Sequence, residues 1–490
     1  MAQSGEEIRQ FRLKKLELLR ESGINPYPER SSFALTEIFT VSENFKKFAS
    51  SKKSFGIGGR VMAKREHGGS TFLDVFDGTS KIQVFLGKDK LGEDSYALFL
   101  NAIDTGDLVA FWGKAFYTKR EEPTVEVSKW EILTKSLRPL PEKWHGLQDV
   151  EERFRKRYLD ILMNSEVKEK FLLRSRLVQD LRNLLDDADF VEAETPILQP
   201  LYGGALAEPF KTRHRMLDMD MYLRIAPELY LKRLLVAGFN KIYEIGKNFR
   251  NEGLDATHNP EFTIVELYEA YKDAEYLRNW ILGILENLIK KALGKTTFKF
   301  NEETIKFSKK AVTIKFWALL ERYAGMPGAE KLTRDDFALR AKQFGINPES
   351  WETKENIADA IFKKICRPKL IQPTYIIDYP IEMSPLAKNL NGNPNIVDRF
   401  QLIVGGVELI NGFSELNDPL EQRKRLEAQE KLRTSENKEA HPMDEEFLEM
   451  MEYGMPPAAG LAVSIDRLTM LLSNTYNIKE VILFPTMKPK

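Results

Sequence analysis

The stretch Lys241–Tyr271, KIYEIGKNFRNEGLDATHNPEFTIVELYEAY, decides the fold because it predicts two strands joined by a polar loop. β-Branched and aromatic residues are frequent on both sides of the loop and no helical stripe fits them, which favours strands over Ile242–Arg250 and Phe262–Tyr271. We call this stretch the hairpin. With a period of two, one face of each strand carries the following residues: Glu244, Gly246, Asn248 and Arg250 on the first, and Phe262, Ile264, Glu266, Tyr268 and Ala270 on the second.

The loop of the hairpin is dense in hydrogen-bond donors and acceptors, with Gly253 and Pro260 as turn residues. Its polar residues are Arg250, Asn251, Glu252, Asp255, His258 and Asn259. An arginine, a glutamate and a tyrosine hydroxyl of the hairpin can then contact the same small ligand. The hairpin is therefore a candidate active site. The alternative is a surface hairpin whose charges are solvated.

The composition indicates a globular protein of more than one domain, without disulfides or a zinc site. A chain of 490 residues with 42% hydrophobic and 30% charged residues predicts two or three globular domains. Lys plus Arg (73) balance Asp plus Glu (73), so any nucleic-acid surface must be local. The single Cys366 excludes an internal disulfide, and the five histidines lack zinc-ligand spacing. Neither a hydrophobic signal region nor a run of about 18 apolar residues occurs, so we expect a cytoplasmic protein without a membrane partner.

Three regions follow from changes in pattern. Residues 1–50 predict a helical extension, 51–140 a barrel and 141–490 a larger α+β domain; the proline-marked segment RPLPEKWHGLQD (138–149) is the linker. Between 55 and 137, five short strands separated by Gly, Asp, Ser and Pro fit a small barrel of the oligonucleotide-binding (OB) type. Its first strands offer cations, an amide and an aromatic ring suited to unpaired bases, at Arg60, Lys64, Arg65, Phe72 and Gln83. Phe72 fits a core position equally well.

In the larger domain, FVEAETPIL (190–198) predicts a strand, and Pro227 the start of a helix that carries Glu228. Residues 316–370 predict a mostly helical insertion. Two strands follow, PTYIIDYP (373–380) and DRFQLIVGGVELINGFSELND (398–418), the second of them rich in glycine. GLAVSIDR (460–467) predicts a strand that enters a helix at Arg467.

FVEAETPIL, FRNEGLDATHNPEF and GLAVSIDR resemble, in this order, the three motifs of the class II aminoacyl-tRNA synthetases. ELYEAY and NGFSELNDP, with the linker, resemble the lysine-specific family in particular, and the likeness covers nearly the whole chain. It implies an N-terminal OB-fold that binds the anticodon, then a catalytic domain built on a mixed, mainly antiparallel sheet flanked by helices. It also implies ATP-dependent attachment of L-lysine to tRNA(Lys) through lysyl-adenylate, with release of AMP and pyrophosphate, by a homodimer.

The resemblance also implies roles for individual residues. The catalytic residues are Arg250, Arg467 and Glu408. The ATP site is formed by Arg250, Glu252, His258, Asn259, Phe262, Glu408 and Arg467. Activation must hold two anions together and stabilise charge on phosphorus, which suits rigid guanidinium groups. Mg²⁺ is expected on Glu408 and on Gln401, an amide where relatives carry a second metal-binding glutamate.

For lysine, the resemblance implies a pocket of Gly204, Glu228, Arg250, Glu266, Tyr268, Asn411, Phe413 and Glu415. Burying three carboxylates is costly unless the ligand brings cations. Lysine brings two, an α-ammonium for Glu228 and an ε-ammonium for Glu266 and Glu415.

For the anticodon, the implied residues are Arg65, Phe72, Gln83 and Glu122. The chain departs from the family pattern at Gln401, at Ala462 and Ser464, which replace glycines, and at Glu208, which replaces a basic residue. Two other functions stay open. One is a synthetase-derived RNA-binding or regulatory protein without catalysis, which Gln401 favours, and the other is ligation of lysine to a protein acceptor, which the barrel disfavours.

Overall fold

The computed structural model describes residues 5–141, 147, 149–432 and 442–489. Residues 142–146 and 148 of the predicted linker lie outside these ranges. The chain falls into two compact units, Met1–Met163 and Asn164–Lys490. The predicted domain boundaries at 50 and 140 stay predictions.

The N-terminal unit contains a closed five-stranded barrel, as predicted. Its strands are β1 (Phe55–His67), β2 (Ser70–Phe76), β3 (Lys81–Gly87), β4 (Leu108–Tyr117) and β5 (Pro123–Thr134), in the order β1-β2-β3-β5-β4. Among these five strands, β3 and β5 pair in parallel and the other neighbours pair antiparallel. Its helices are α1 (Gly5–Glu21), α2 (Ile38–Glu43), α3 (Phe45–Ser51), α4 (Lys88–Leu91), α5 (Glu93–Ala102), α6 (Val150–Arg155) and α7 (Arg157–Met163).

The barrel closes because alternate side chains are apolar. Burial along β2 alternates at every residue, so Leu73 and Val75 lie in the core with Val84 of β3. Phe72 and Asp74 therefore face outward.

The second unit is built on a large mixed sheet. Its strands are β6 (Val191–Glu192), β10 (Lys241–Phe249), β11 (Glu261–Ala270), β14 (Val312–Lys315), β15 (Thr374–Pro380), β16 (Asn389–Leu390), β17 (Asn393–Val404), β18 (Val407–Ser414) and β19 (Ala458–Ser464). The order is β14-β15-β17-β18-β19-β11-β10-β6, with β16 beside β17. Only the β6–β10 and β14–β15 pairs are parallel, so the predicted mixed, mainly antiparallel sheet is confirmed.

Two smaller sheets complete the strands of this unit: β7 (Leu198–Gln199), β8 (Lys211–His214) and β9 (Met219–Leu223) form one, and β12 (Thr297–Phe300) and β13 (Glu303–Lys306) the other. The helices are α8 (Ser165–Asp186), α9 (Glu228–Val236), α10 (Ala274–Leu293), α11 (Phe316–Ala324), α12 (Arg334–Gln343), α13 (Lys354–Ile361), α14 (Pro419–Leu432), α15 (Glu445–Glu452) and α16 (Ile465–Leu472). A π-helical segment, Phe362–Cys366, and a 3₁₀ turn, Arg367–Lys369, continue α13, so the insertion is mostly helical as predicted.

The hairpin strands match the prediction to within one residue at each end. Glu244 lies opposite Glu266 in the β10–β11 register. On β11, Val265 and Leu267 join the core under α8 and α10, while the alternate residues face the other side of the sheet. That other side carries the candidate site.

The predicted strand FVEAETPIL is wrong in its length. Only Val191–Glu192 pairs with β10, and Leu198–Gln199 pairs with β9 in a separate sheet. The chain leaves the large sheet because Pro196 has no N–H to donate and Thr195 is bound elsewhere. Both the N–H and the hydroxyl of Thr195 donate to the carboxylate of Glu244, at 3.2 and 2.7 Å.

Candidate active site

One cavity of about 530 Å³ lies against the face of the sheet that carries the alternate hairpin residues. A volume of this size suits a small-molecule site. It brings together residues from the hairpin, β17, β18, β19, α9 and α16. The predicted site residues that line it are Gly204, Glu228, Arg250, Glu252, His258, Asn259, Phe262, Glu266, Tyr268, Gln401, Glu408, Asn411, Phe413 and Arg467. Glu415 does not line it and is buried beside it.

Small residues leave room at two points of the cavity wall. Gly204 has φ +86°, and a Cβ there would lie 2.8 Å from Cβ of Glu228. A Cβ on Gly460 would lie 2.3 Å from the ring of Tyr268 and 2.6 Å from Oε1 of Glu415. Contacts that close are not tolerated, so glycine at both positions keeps the acidic side chains in place.

Two arginines face the cavity from different elements. The Arg250 guanidinium lies over the ring of Phe262, 5.1 Å from its centroid. Arg467 donates from Nη1 to the backbone carbonyl of Glu408 at 3.0 Å, and its Nη2 lies 3.2 Å from Nε2 of His258. Burial lowers the pKa of Arg250, which nevertheless stays charged. Nε of Arg250 is buried without a hydrogen-bond partner among the described residues, which leaves a donor for an anion.

The acidic pocket contains a cation that the sequence reasoning did not place there. Nζ of Lys232 lies 2.6 Å from Oε1 of Glu228 and 2.5 Å from Oε2 of Glu415, and all three side chains are buried. Lys232 also lies over the ring of Phe413, 5.4 Å from its centroid. The expectation that a ligand alone neutralises the three carboxylates is therefore wrong, because the chain supplies one ammonium itself.

Glu266 differs from the other two carboxylates of the pocket, because no cation of the described part of the chain contacts it. It accepts a hydrogen bond from the hydroxyl of Tyr268 at 2.6 Å. Burial, together with the charge of nearby Glu228, raises the pKa of Glu266 to about 8. Oε1 of Glu415 is likewise buried without a hydrogen-bond partner among the described residues. The pocket thus keeps acceptor capacity for the donors of an ammonium ion.

Glu408 faces the cavity as an ionised carboxylate. Burial opposes its ionisation, but the charge of neighbouring cations lowers its pKa. These cations, in order of effect, are Arg467, Arg367, Arg399 and Lys363. Gln401 is buried, and its Oε1 accepts a hydrogen bond from the Tyr379 hydroxyl at 2.7 Å.

The donor set bears on the magnesium expected from the sequence. Over the described ranges, no group of three His, Cys, Asp or Glu side chains is arranged to hold a metal ion. Mg²⁺ on nucleotide substrates usually takes one or two carboxylates and completes its shell with phosphates and water. A single ionised carboxylate at Glu408 fits that mode and does not fit an all-protein cage.

Comparison with known proteins agrees with this geometry. Residues 149–488 match the family model of class II tRNA synthetases for D, K and N, and residues 56–133 match that of the OB-fold nucleic acid binding domain. A lysine–tRNA ligase of Carboxydothermus hydrogenoformans is 45% identical over 487 residues, which cover 99% of this chain and 98% of the relative. The lysine–tRNA ligase of Methanoculleus marisnigri is 44% identical over 482 residues, covering 97% and 94%.

The chain belongs to the class II lysyl-tRNA synthetase family. The predicted family is thereby confirmed, as is the combination of an OB-fold with a class II catalytic domain.

In the OB-fold of this synthetase, the residues expected at the anticodon lie on strands β1, β2 and β3 and on the β4–β5 turn. Phe72 is half-buried, lies outside the barrel core and sits opposite Arg65 in the register, so the alternative of a core position is wrong. Its ring is 5.0 Å from that of Phe85. Gln83 accepts a hydrogen bond from the Thr124 hydroxyl at 3.0 Å, and Glu122 is exposed.

Several cavity residues of the synthetase were missed by the sequence reasoning, among them Arg367, Lys363 and Arg399. Lys232 could have been found in part, since it lies four residues after Glu228 on a predicted helix. Lys363 and Arg367 carry no local signal, because the insertion that brings them to the cavity is far from the motifs in sequence. No helix among the described residues is long and apolar enough to cross a bilayer.

Proposed function

We propose that the protein attaches L-lysine to tRNA(Lys) in an ATP-dependent reaction that passes through lysyl-adenylate and releases AMP and pyrophosphate. One observation carries the proposal: a single cavity places a carboxylate pocket, with Tyr268, beside the guanidinium groups of Arg250 and Arg467. The two ammonium groups of lysine match the carboxylate pocket. The carboxylate of lysine and the triphosphate of ATP match the guanidinium groups.

In the first step, a carboxylate oxygen of lysine attacks the α-phosphorus of ATP. The P–O bond to pyrophosphate breaks, and a mixed anhydride forms. We assign Arg250 to the carboxylate and the α-phosphate, because its unpartnered Nε and its partly buried guanidinium suit two anions brought together. We assign Arg467 to the terminal phosphate and Phe262 to the adenine ring, with Glu252, His258 and Asn259 around the nucleotide.

In the second step, a terminal ribose hydroxyl of the tRNA attacks the carbonyl carbon of the adenylate, and AMP leaves. The amino acid must stay fixed through both steps. We assign its α-ammonium to Glu228 and Gly204, and its ε-ammonium to Glu266, Tyr268 and Glu415, with Asn411 and Phe413 completing the wall. Both assignments rest on buried acceptors that face the cavity or lie directly behind it.

Mg²⁺ would be held by Glu408 together with the phosphates, and it would neutralise phosphate charge. Gln401 offers a neutral amide oxygen that already accepts from Tyr379, so we propose that it is at most a weak ligand.

The barrel is proposed to bind the anticodon through Arg65, Phe72, Gln83 and Glu122. Support comes from an outward aromatic ring with a cation and an amide on the neighbouring strands β1 and β3. An exposed carboxylate lies on the β4–β5 turn. Unpaired bases are recognised by this combination of stacking and hydrogen bonding.

We also propose a homodimer in the cytoplasm, where tRNA is charged for translation. In the second unit, Val191, Ile197 and Leu198 are 49%, 46% and 40% exposed around the first motif, an apolar surface suited to a second copy of the chain. Sedimentation equilibrium measures the assembly, and a monomer at micromolar concentration would contradict it.

The test of the function is aminoacylation of total tRNA with each of the twenty amino acids, together with ATP–pyrophosphate exchange. We expect both activities with lysine only. Arg250→Ala should abolish exchange in a folded protein, because losing one such charge contact costs about 3 kcal/mol or more in the transition state. Unchanged lysine-dependent exchange in that variant would refute its role. A wild-type protein that binds tRNA without any exchange would support the non-catalytic alternative.

A further inference from the structure

The helical insertion contributes two cations to the cavity that none of the family motifs contains. Lys363 lies in the π-helical segment Phe362–Cys366, and Arg367 follows directly in the 3₁₀ turn. Both line the cavity. π-Helical turns are rare and occur frequently at functional sites, because the extra residue re-aims the side chains that follow.

Arg367 differs from Arg399, the other newly found arginine of the cavity, because its side chain makes no hydrogen bond to any described residue. Arg399 donates to Asn411 at 2.9 Å and to the hydroxyl of Ser384 at 2.8 Å. Nε of Arg367 is buried without a hydrogen-bond partner among the described residues. A partly buried guanidinium with an unused donor is costly unless an anion binds there.

The charges around Arg367 leave it available to an external anion. Arg367 lowers the pKa of Glu408 through its charge, and it forms no ion pair with a described carboxylate. The carboxylate of Asp359 is 2.7 Å from Nζ of Lys363. Arg399 and Arg467 act on Glu408 as well. Four cations therefore act on Glu408, and Gln401, which lines the same cavity, adds no negative charge.

A triphosphate needs several positive charges around it, and they come from metal ions or from side chains. Of the two positions expected to hold magnesium, Glu408 supplies a carboxylate and Gln401 only an amide, where a second acid would allow more metal. Fewer bound magnesium ions would leave phosphate charge to be neutralised by the protein.

We propose that Arg367, supported by Lys363, forms an anion subsite for the terminal phosphates of ATP and for the pyrophosphate that the reaction releases. The proposal rests on the function proposed above and adds these two residues to its nucleotide site. The guanidinium holds the phosphate oxygens, while Lys363 adds charge at the rim.

Binding of inorganic pyrophosphate to the full-length protein without magnesium, measured by calorimetric titration, tests the subsite directly. We expect Arg367→Ala to weaken this binding about ten- to a hundredfold, as for the loss of a charged hydrogen bond. Arg367→Lys should retain part of the affinity, and Lys363→Ala should have a smaller effect. Lysine binding should be unchanged in all three variants.

Lys364→Ala is the matched control. It removes the same charge from the same segment, but Nζ of Lys364 donates to the carbonyl of Gly345 at 2.9 Å and does not line the cavity. We expect wild-type pyrophosphate binding from it. An equal loss in Lys364→Ala would mean that only the overall charge matters, which would overturn the subsite.

Exchange kinetics separate this proposal from the proposed function. The function fails if the wild-type protein shows no lysine-dependent exchange. The subsite fails if the wild type exchanges normally but the KM values for ATP and pyrophosphate are the same in folded Arg367→Ala. It also fails if the wild type binds no pyrophosphate without magnesium.

Discussion

Replacing Lys232 by methionine tests whether the ammonium inside the acidic pocket holds the catalytic unit together. Nζ of Lys232 is the only cation in contact with both Glu228 and Glu415 among the described residues, at 2.6 and 2.5 Å. Methionine fills a similar volume without the charge. The variant therefore leaves two buried carboxylates unpaired, with no large cavity to confuse the result.

The magnitude follows from the burial of the group. Lys232 is completely buried and neither carboxylate is more than 5% exposed. Removing one partner of such a pair costs about 3–5 kcal/mol, since the remaining charge stays desolvated. The matched control is Lys247→Met, whose ion pair with Glu261 at 3.0 Å is exposed to solvent. Its loss should cost no more than about 1 kcal/mol.

The pH dependence gives a second readout. Burial already raises the pKa of Glu228 and of Glu415 in the presence of Lys232. Without the ammonium both pKa values rise further, so the folded protein takes up protons that the unfolded chain has released. When folding raises the pKa of a carboxyl group, the free energy of unfolding decreases as the pH rises from the unfolded-state pKa towards the folded-state pKa. The defect of Lys232→Met should therefore be larger at pH 8 than at pH 6.

Urea unfolding at pH 6, 7 and 8 measures both quantities. A loss no larger than that of Lys247→Met would refute the structural role of the buried triad. A large loss that is identical at pH 6 and pH 8 would show that packing of the side chain is responsible and that its charge is not.

Three further predictions concern the ligands. Because Glu266 must be ionised to bind an ammonium and its pKa is about 8, the KM for lysine should fall up to tenfold per unit between pH 6 and 8; Glu266→Gln should abolish this slope, and a flat wild-type profile would contradict it. Gln401→Glu should lower the magnesium concentration needed for exchange, unless wild type and variant saturate together. Phe72→Ala should weaken tRNA aminoacylation by about 1–3 kcal/mol with near-normal exchange; equal losses in both assays, with a lower melting temperature, would make Phe72 structural.

The hairpin shows why part of the site could be predicted from sequence. A strand alternates its side chains with a period of two, so the residues that share a face are known before any tertiary contact is. Phe262, Ile264, Glu266 and Tyr268 do line one cavity. The barrel followed in the same way from alternating apolar residues and turn signals between strands.

Long-range contacts explain what the sequence could not predict. The ion pair of Lys232 with Glu415 joins residues that are far apart in sequence and that the sheet brings together. The residues next to either of them in sequence do not indicate this pair. The predicted length of the strand FVEAETPIL (190–198) was wrong for a similar reason. The side chain that draws Thr195 out of the large sheet belongs to Glu244, on another strand.

The charges of the acidic pocket explain why it should select lysine. Glu228, Glu266 and Glu415 carry three negative charges when ionised, and Lys232 neutralises one of them. Two charges remain, which equals the number of ammonium groups on lysine, and we propose Arg250 as the partner of its carboxylate.

An amino acid with a neutral side chain would leave one buried carboxylate without a cation. Glu266 would then have to stay protonated, which its raised pKa permits only below about pH 8. A buried polar group left unpaired is what lets a site reject a substrate that lacks the matching group by about 10⁴–10⁵-fold. Selection against neutral amino acids of similar length, such as methionine, should therefore become stricter as the pH rises, because protonation no longer relieves the unpaired carboxylate.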